Sequence, residues 1–407
     1  MKKSGFRELA LVLPLLCAVI VIPLSARTFK TLVRFDGTDG AGPWSLVQGN
    51  DGNFYATTWG NSGGEVFKMT PAGKLTILYH FCSEMNCADG ADPYAGLVQA
   101  ANGNFYGTTG GGGTRNLGTV FEITPNGKLT TLYSFGTQTN DGEWPYGVLV
   151  QGTNRDFYGT TFAGGAYGGG TVFRISPTGK LTTLHSFCQA SQSCPDGKQP
   201  MAGLVRGADG NYYGTTSSGG TAAYCGGIQC GTVFKITPAG RFTTLHSFCS
   251  QMGCSDGSHP VGALVLGTDR SFYGTTAGSH GAPDSVFKIS LRGSLTTLYT
   301  FCQQKNCSDG SAPYAGLALG ADADFYGTTS AGGADGGYGT VFKITRKGQL
   351  TTLHTFCEDG FYPCSDGYSP AAALVQASDG TFYGSTAAGG VKCDDGNTCG
   401  TVFKVGP

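Results

Sequence analysis

The chain has 407 residues, of which 69 are glycine and only 13% are charged, with a net charge of −1. Glycine is well above its usual share of roughly 7%, and charge is about half the usual 25%. Low charge and 40% hydrophobic residues exclude a solvated disordered chain. Glycine does not recur at every third position, which excludes collagen, and there is no basic footprint for DNA or RNA.

Lys2, Lys3 and Arg7 precede an apolar run from Leu9 to Leu24, closed by Ser25 and Ala26. This three-part pattern predicts a signal peptide over 1–26, cleaved after Ala26, and an exported domain over 27–407. The rival, an uncleaved anchor, needs about 20 apolar residues, and the run is short of that. No later segment is apolar enough to span a bilayer. The mature chain is expected outside the cytoplasm (extracellular, cell-surface or periplasmic), as a monomer with no cofactor.

From Thr28 onward one unit repeats. Phe-Tyr-Gly or a close variant places tyrosines at 55, 106, 158, 213, 273, 326 and 383, at spacings of 51 to 60 residues. Val-Phe-Lys or a near match follows each, and Asp-Gly-x-x-Pro precedes each, beginning at Asp39, Asp89, Asp141, Asp196, Asp256, Asp309 and Asp366. All three markers count seven. Each unit reads as four short strands, in the second copy 96–99, 104–109, 118–124 and 128–135, rich in Val, Ile, Thr, Phe and Tyr. Asn102-Gly103 and Pro125-Asn126-Gly127 supply the hairpin turns. The chain is all-β.

Seven four-stranded antiparallel units fit either an open stack or a closed propeller. After Phe403 the seventh unit lacks its fourth strand, whereas Thr28–Phe35 (TFKTLVRF) matches that strand in other copies, such as Lys74–Phe81 (KLTILYHF). An N-terminal strand completing the last blade closes a ring and removes exposed sheet edges. The fold expected is a seven-bladed β-propeller, with Leu32 beside the strand of Phe403.

The composite DGxxP…GLVQ…DGxFYGTT…GG…GTVFKITPxGKLTTLYSF resembles the GloVer tandem repeat of bacterial exported and surface proteins, over essentially all of residues 28–407. The resemblance implies a kelch- or NHL-like propeller, export and often a C-terminal surface anchor. It brings no catalytic residues. The residues up to Pro407 carry no hydrophobic stretch of that kind, so the anchored pattern is not the one expected here.

Leaving Cys17 in the signal, fourteen cysteines fall into seven local pairs: Cys82/Cys87, Cys188/Cys194, Cys225/Cys230, Cys249/Cys254, Cys302/Cys307, Cys357/Cys364 and Cys393/Cys399. An even set in an exported chain reads as disulfides. Zinc is the competitor, but paired Cys-x₂-Cys spacing is missing, and no metal site is expected. Strand alternation places all seven pairs on the face that carries the blade-to-blade and second-to-third-strand loops. The same face gathers Asp92, Glu143, Asp284 and other acids, with Arg115 and Lys198 among a smaller basic set.

Residues present in every blade are more often part of the blade than of one site. The DGxxP aspartates are read as accepting local backbone N–H groups before the proline, with calcium as the alternative. His185, His246 and His354 share a strand position with Tyr79, Tyr133 and Tyr299 and read as packing. Departures from the repeat are the better site candidates. Trp44, Trp59, Trp144 and Tyr146 fall on the long-loop face, joined by Tyr94 and Tyr314; aromatic rings beside acids and amides suit the C–H face and hydroxyls of a sugar. His259 and His280, with Asp284, sit in adjacent loops around the fifth blade; a solvated loop is the ordinary reading, and proton transfer or metal binding is the functional one. No G-x-S-x-G elbow is present, and Gly110–Gly113 has no following helix to cradle phosphate. The expected function is a binding module for carbohydrate or a cell-envelope component. The alternatives are a polysaccharide hydrolase or lyase on the same face, and a scaffold without a small ligand.

Overall fold

In a computed structural model, the chain forms seven four-stranded antiparallel sheets arranged as a propeller ring. The structure describes residues 28–60, 63–189, 193–221, 230–278, 281–333, 337–358, 360, 362–393 and 399–406. The expected signal segment, Cys225 and His280 lie outside the described residues.

Blade 1 illustrates the unit: Val47–Gln48 nearest the axis, then Phe54–Thr58, Glu65–Met69 and Leu75–His80 outermost. The innermost strand is shorter than the sequence suggests. In blade 2 only Val98 and Gln99 pair, because the preceding residues bend around the axis, where Gly96 meets Ser45 and Val148 of the flanking blades. Blade 7 contains Val375–Gln376, Phe382–Thr386, Thr401–Val405 and, as its outer strand, Phe29–Arg34. Thr31 pairs with Phe403 and Val33 with Val402, leaving Leu32 at a bulge beside that strand. Every other blade has the same bulge, as between Val66 and Phe67. The N-terminal strand therefore adopts the ordinary register of a fourth strand and closes the ring.

The Phe-Tyr-Gly strand is buried on both faces because each sheet is covered by its two neighbours. Side chains alternate across a strand, so Phe faces one neighbouring blade and Tyr the other. Tyr55 stacks on Phe105 at 4.0 Å, Tyr106 on Phe157 at 4.1 Å and Tyr158 on Tyr212 at 4.1 Å. Tyr213–Phe272, Tyr273–Phe325 and Tyr326–Phe382 continue the series, and Tyr383 meets Phe54 at 4.1 Å. Such pairs add about 0.5–1.5 kcal/mol each beyond area burial. The glycine of the motif seats the third-strand phenylalanine: a Cβ on Gly107 would lie 2.6 Å from Phe121 Cζ.

On the short-turn face, a turn aspartate meets the third-strand lysine in four blades. Asp51–Lys68, Asp209–Lys235, Asp269–Lys288 and Asp322–Lys343 lie at 2.7–2.8 Å. The tyrosine of the same blade also donates to the carboxylate, as Tyr55 does to Asp51 at 2.9 Å. The Val-Phe-Lys lysine is thus a blade component, as its recurrence implies. Six expected disulfides are formed: Cys82–Cys87, Cys188–Cys194, Cys249–Cys254, Cys302–Cys307, Cys357–Cys364 and Cys393–Cys399. Cys230 is also disulfide-bonded. Each staples a long loop of five to seven residues' separation.

Candidate functional site

The long-loop mouth is built on Asp-Gly-x-x-Pro. Its aspartate is buried in four copies, Asp89, Asp141, Asp256 and Asp309, and accepts amides from the loop before it: Ser83 and Glu84 donate to Asp89, Ser250 and Gln251 to Asp256, Gln303 and Gln304 to Asp309. In six blades a side chain on the outer strand completes the shell. Tyr79 donates to Asp89, Tyr133 to Asp141 and Tyr299 to Asp309, whereas His185, His246 and His354 meet Asp196, Asp256 and Asp366 at 2.9–3.0 Å. The three histidines do more than pack: they are the imidazole version of a tyrosine contact. Burial, followed by the facing carboxylate, pushes the Tyr299 hydroxyl up to about 12.

The residue before the proline has positive φ in all seven blades: Gly42, Asp92, Trp144, Gln199, His259, Ala312 and Ser369, between 52° and 59°. Only one is glycine, although this backbone region costs other residues about 1–2 kcal/mol. Hydrogen bonds across blades hold it. The N–H groups of Asp92, Trp144, Gln199 and His259 donate to the carbonyls of Gly63, Leu117, Gly169 and Cys230 in the preceding blade at 2.7–3.0 Å. Gly42 and Ser369 do the same with Cys399 and Tyr338. Glycine is required at 42 because Trp59 covers it: a Cβ there would lie 2.1 Å from the indole Nε1.

The residue after the proline turns inward and forms the channel wall: Trp44, Tyr94, Tyr146, Met201, Val261, Tyr314 and Ala371. They enclose a cavity of about 550 Å³ at the long-loop end of the channel. Below them small residues close the axis; a Cβ on Gly203 would lie 2.3 Å from Val148 O, so no larger side chain fits. The wall is asymmetric. Trp44 and Tyr94 meet edge-on at 6.4 Å, Tyr94 and Tyr146 edge-on at 5.5 Å, and Trp59 stacks on Tyr94 at 5.9 Å. Burial raises the hydroxyl pKa of both Tyr94 and Tyr146, so both remain neutral donors.

His259 also lines this cavity. Its Nδ1 lies 3.0 Å from the Ser217 carbonyl, which can only accept, so Nδ1 carries the proton. In the neutral ring Nε2 is then the acceptor, and it has no hydrogen-bond partner among the described residues.

The sequence candidates thus separate. Trp44, Tyr146 and His259 converge on the cavity, and Trp59 backs its aromatic wall. Trp144 lies on the rim against Phe162, at 6.4 Å, and is 37% exposed. Asp284 does not line the cavity: its Oδ2 accepts the Ala312 N–H at 2.7 Å, replacing the loop carbonyl used at the other blades. Burial raises its pKa and that amide opposes the rise. The wall positions Met201, Val261 and Ala371 were missed by looking for chemically distinctive side chains; the position after each DGxxP proline is the signal that finds them.

Residues 18–228 and 220–407 each match the Gloeobacter/Verrucomicrobia repeat, and the chain belongs to that family. No curated protein matches it in sequence. Among solved structures it is similar in fold to a streptogramin B lyase, with TM-score 0.59 and 14% identity over 93% of this chain and 97% of that one. A catalytically inactive virginiamycin B lyase from Staphylococcus aureus, with quinupristin, gives TM-score 0.60 and 15% identity over 94% and 99%. The extracellular domain of BT3049 from B. thetaiotaomicron gives 0.58 and 13%, over 94% and 41%.

Proposed function

We propose that this chain is an exported, disulfide-stapled propeller, acting as a monomer, that binds a glycan at the long-loop mouth of its channel. The observation that carries this reading is the cavity of about 550 Å³ walled by Trp44, Tyr94, Tyr146 and Tyr314 with His259 among them. Sites of roughly 300–1,000 Å³ that combine apolar walls with a few fixed polar groups are typical of small-ligand pockets. A pyranose presents an apolar C–H face to such rings, while its rim of hydroxyls reaches tyrosine hydroxyls and His259 Nε2. The signal-like segment and the local disulfides support export.

Binding is favoured over catalysis by what the wall contains. Glycoside hydrolysis ordinarily uses two carboxyl groups flanking the scissile bond, and the described residues lining this cavity include neither Asp nor Glu. A glycan array with the mature protein tests the reading. Signals that disappear in Trp44→Ala or Tyr94→Ala support it. Release of reducing ends from a bound polysaccharide would replace it with the enzyme. No signal on any glycan, with retained cell-envelope association, would leave a scaffold.

A further inference from the structure

A second pocket, of about 380 Å³, lies on the long-loop face between blades 2 and 3. Arg115, Gln138, Asn140 and Glu143 line it, and Leu117 gives it one apolar wall. Its origin is local. The connection from Phe135 to Asp141 has no cysteine, whereas those leaving blades 1, 3, 4, 5 and 6 are longer and disulfide-stapled. The floor is fixed, because Asp141 is occupied by Tyr133 and by the amides of Gly136 and Gln138.

The walls, in contrast, are uncommitted. Among the described residues, none of the four polar head groups has a hydrogen-bond or ion-pair partner. Arg115 is nevertheless positioned: its Cβ and Cγ rest against Gly136, where an added Cβ would come within 3.0 Å of each. A guanidinium, a carboxylate and two amides around one pocket form a donor and acceptor set suited to a hydroxyl-rich ring.

This pocket joins the channel mouth through one residue step. Glu143 lines it, and the adjacent Trp144 begins an aromatic arc that runs to Phe162 at 6.4 Å, Tyr146 at 5.6 Å and Tyr94 at 5.5 Å. The short pairing of Gly142–Glu143 with Ala163–Gly164, found in this blade, holds the arc and the pocket wall together.

Resting on the glycan reading above, we propose that this pocket is an outer subsite, and that the ligand is an oligosaccharide extending from the channel mouth across Trp144 to Arg115 and Glu143. The mouth takes one sugar by stacking; the outer pocket takes a later unit by hydrogen bonds to its hydroxyls.

An array presenting each saccharide backbone from monomer to hexamer tests this. Wild-type binding is expected to strengthen with chain length. Arg115→Ala combined with Gln138→Ala should weaken binding of the longer members by about tenfold, the worth of one charged hydrogen bond, and leave monomer binding unchanged. Hydrogen exchange over residues 136–143 should slow with a bound hexamer and not with the monomer. Unaltered length dependence in the double variant, or no protection by the hexamer, would overturn the outer subsite alone. Absence of all glycan binding, or full binding by Trp44→Ala, would overturn the mouth reading and the subsite with it. Both substituted side chains are exposed and make no hydrogen bond among the described residues, so matching melting curves serve as the folding control.

Discussion

The Ser378 amide donates to Gln48 Oε1 at 2.9 Å, linking residues 330 apart. The same bond joins ordinary neighbours: Asn50 to Gln99 at 2.8 Å, Ala101 to Gln151 at 3.3 Å and Ala321 to Gln376 at 2.9 Å. In each case the first hairpin turn of one blade is tied to the innermost strand of the next. The closing interface is therefore built like any other. Gln48→Ala and Gln99→Ala should each cost about 1 kcal/mol in denaturant melts and agree within about 0.5 kcal/mol. A much larger loss for Gln48→Ala would mean that closure is a special interface.

Six of the seven DGxxP aspartates have an outer-strand partner, tyrosine in three blades and histidine in three, so the two should exchange. His246→Tyr should keep stability within about 1 kcal/mol, because Tyr299 makes the same contact to Asp309. His246→Ala should cost about 2–3 kcal/mol by leaving the fully buried Asp256 short of a donor. Burial works to raise the Asp256 pKa, but the His246 and Ser250 hydrogen bonds outweigh it and hold it below the usual range. Its stabilisation is thus complete above about pH 4 and lost as pH falls through the lowered value. Equal melting of His246→Ala and wild type would remove the contact from the energetics.

Blade 2 reverses the charge clasp of the short-turn face. Glu122 replaces the lysine and Asn102 the turn aspartate; Glu122 accepts from Asn104, Tyr106 and Asn102 at 2.6, 2.7 and 3.3 Å. Asn102→Asp alone would set two carboxylates around the Tyr106 hydroxyl and should cost about 1 kcal/mol or more. Adding Glu122→Lys should recover the loss, since Asp322 and Lys343 show that arrangement at 2.7 Å. A double-mutant cycle reads the coupling; simple additivity would show that the clasp carries no pairing energy.

What could be read from the chain divides along the same line between shared and unshared residues. Sevenfold recurrence of Tyr106-like and Phe121-like positions, with Thr28–Phe35 matching Lys74–Phe81, was enough for blade count and closure, because a repeated packing solution leaves a repeated residue. The site is written in positions that vary. Trp44, Tyr146 and His259 were visible as departures from the repeat. Asp284 looked similar, yet its carboxylate serves a backbone amide that six other blades satisfy with a carbonyl. The pocket at Arg115 and Glu143 depends on a loop being short, and loop length alone does not say which side chains face the space.

Glu65 is the last departure. In the other blades the corresponding residue is threonine or serine and bonds the threonine opposite, as Thr109 with Thr119 at 2.9 Å. Here Glu65 is 7% exposed, meets Thr58 at 3.3 Å and His80 at 3.0 Å, and is forced upward in pKa mainly by burial, with His80 opposing. A carboxyl group whose pKa rises on folding stabilises the fold least when ionised. Its penalty is absent below the unfolded value near 4.5, grows as pH rises from there toward the folded value, and is complete above it. Glu65→Thr should therefore be more stable than wild type at pH 7, by about 1 kcal/mol from the restored threonine pair, present at any pH, plus the ionisation penalty that the substitution removes. The advantage should shrink as pH is lowered toward 4.5. Melting curves at several pH values read both effects, and a gap that stays constant from pH 4 to 7 would show that the Glu65 carboxylate is not the source.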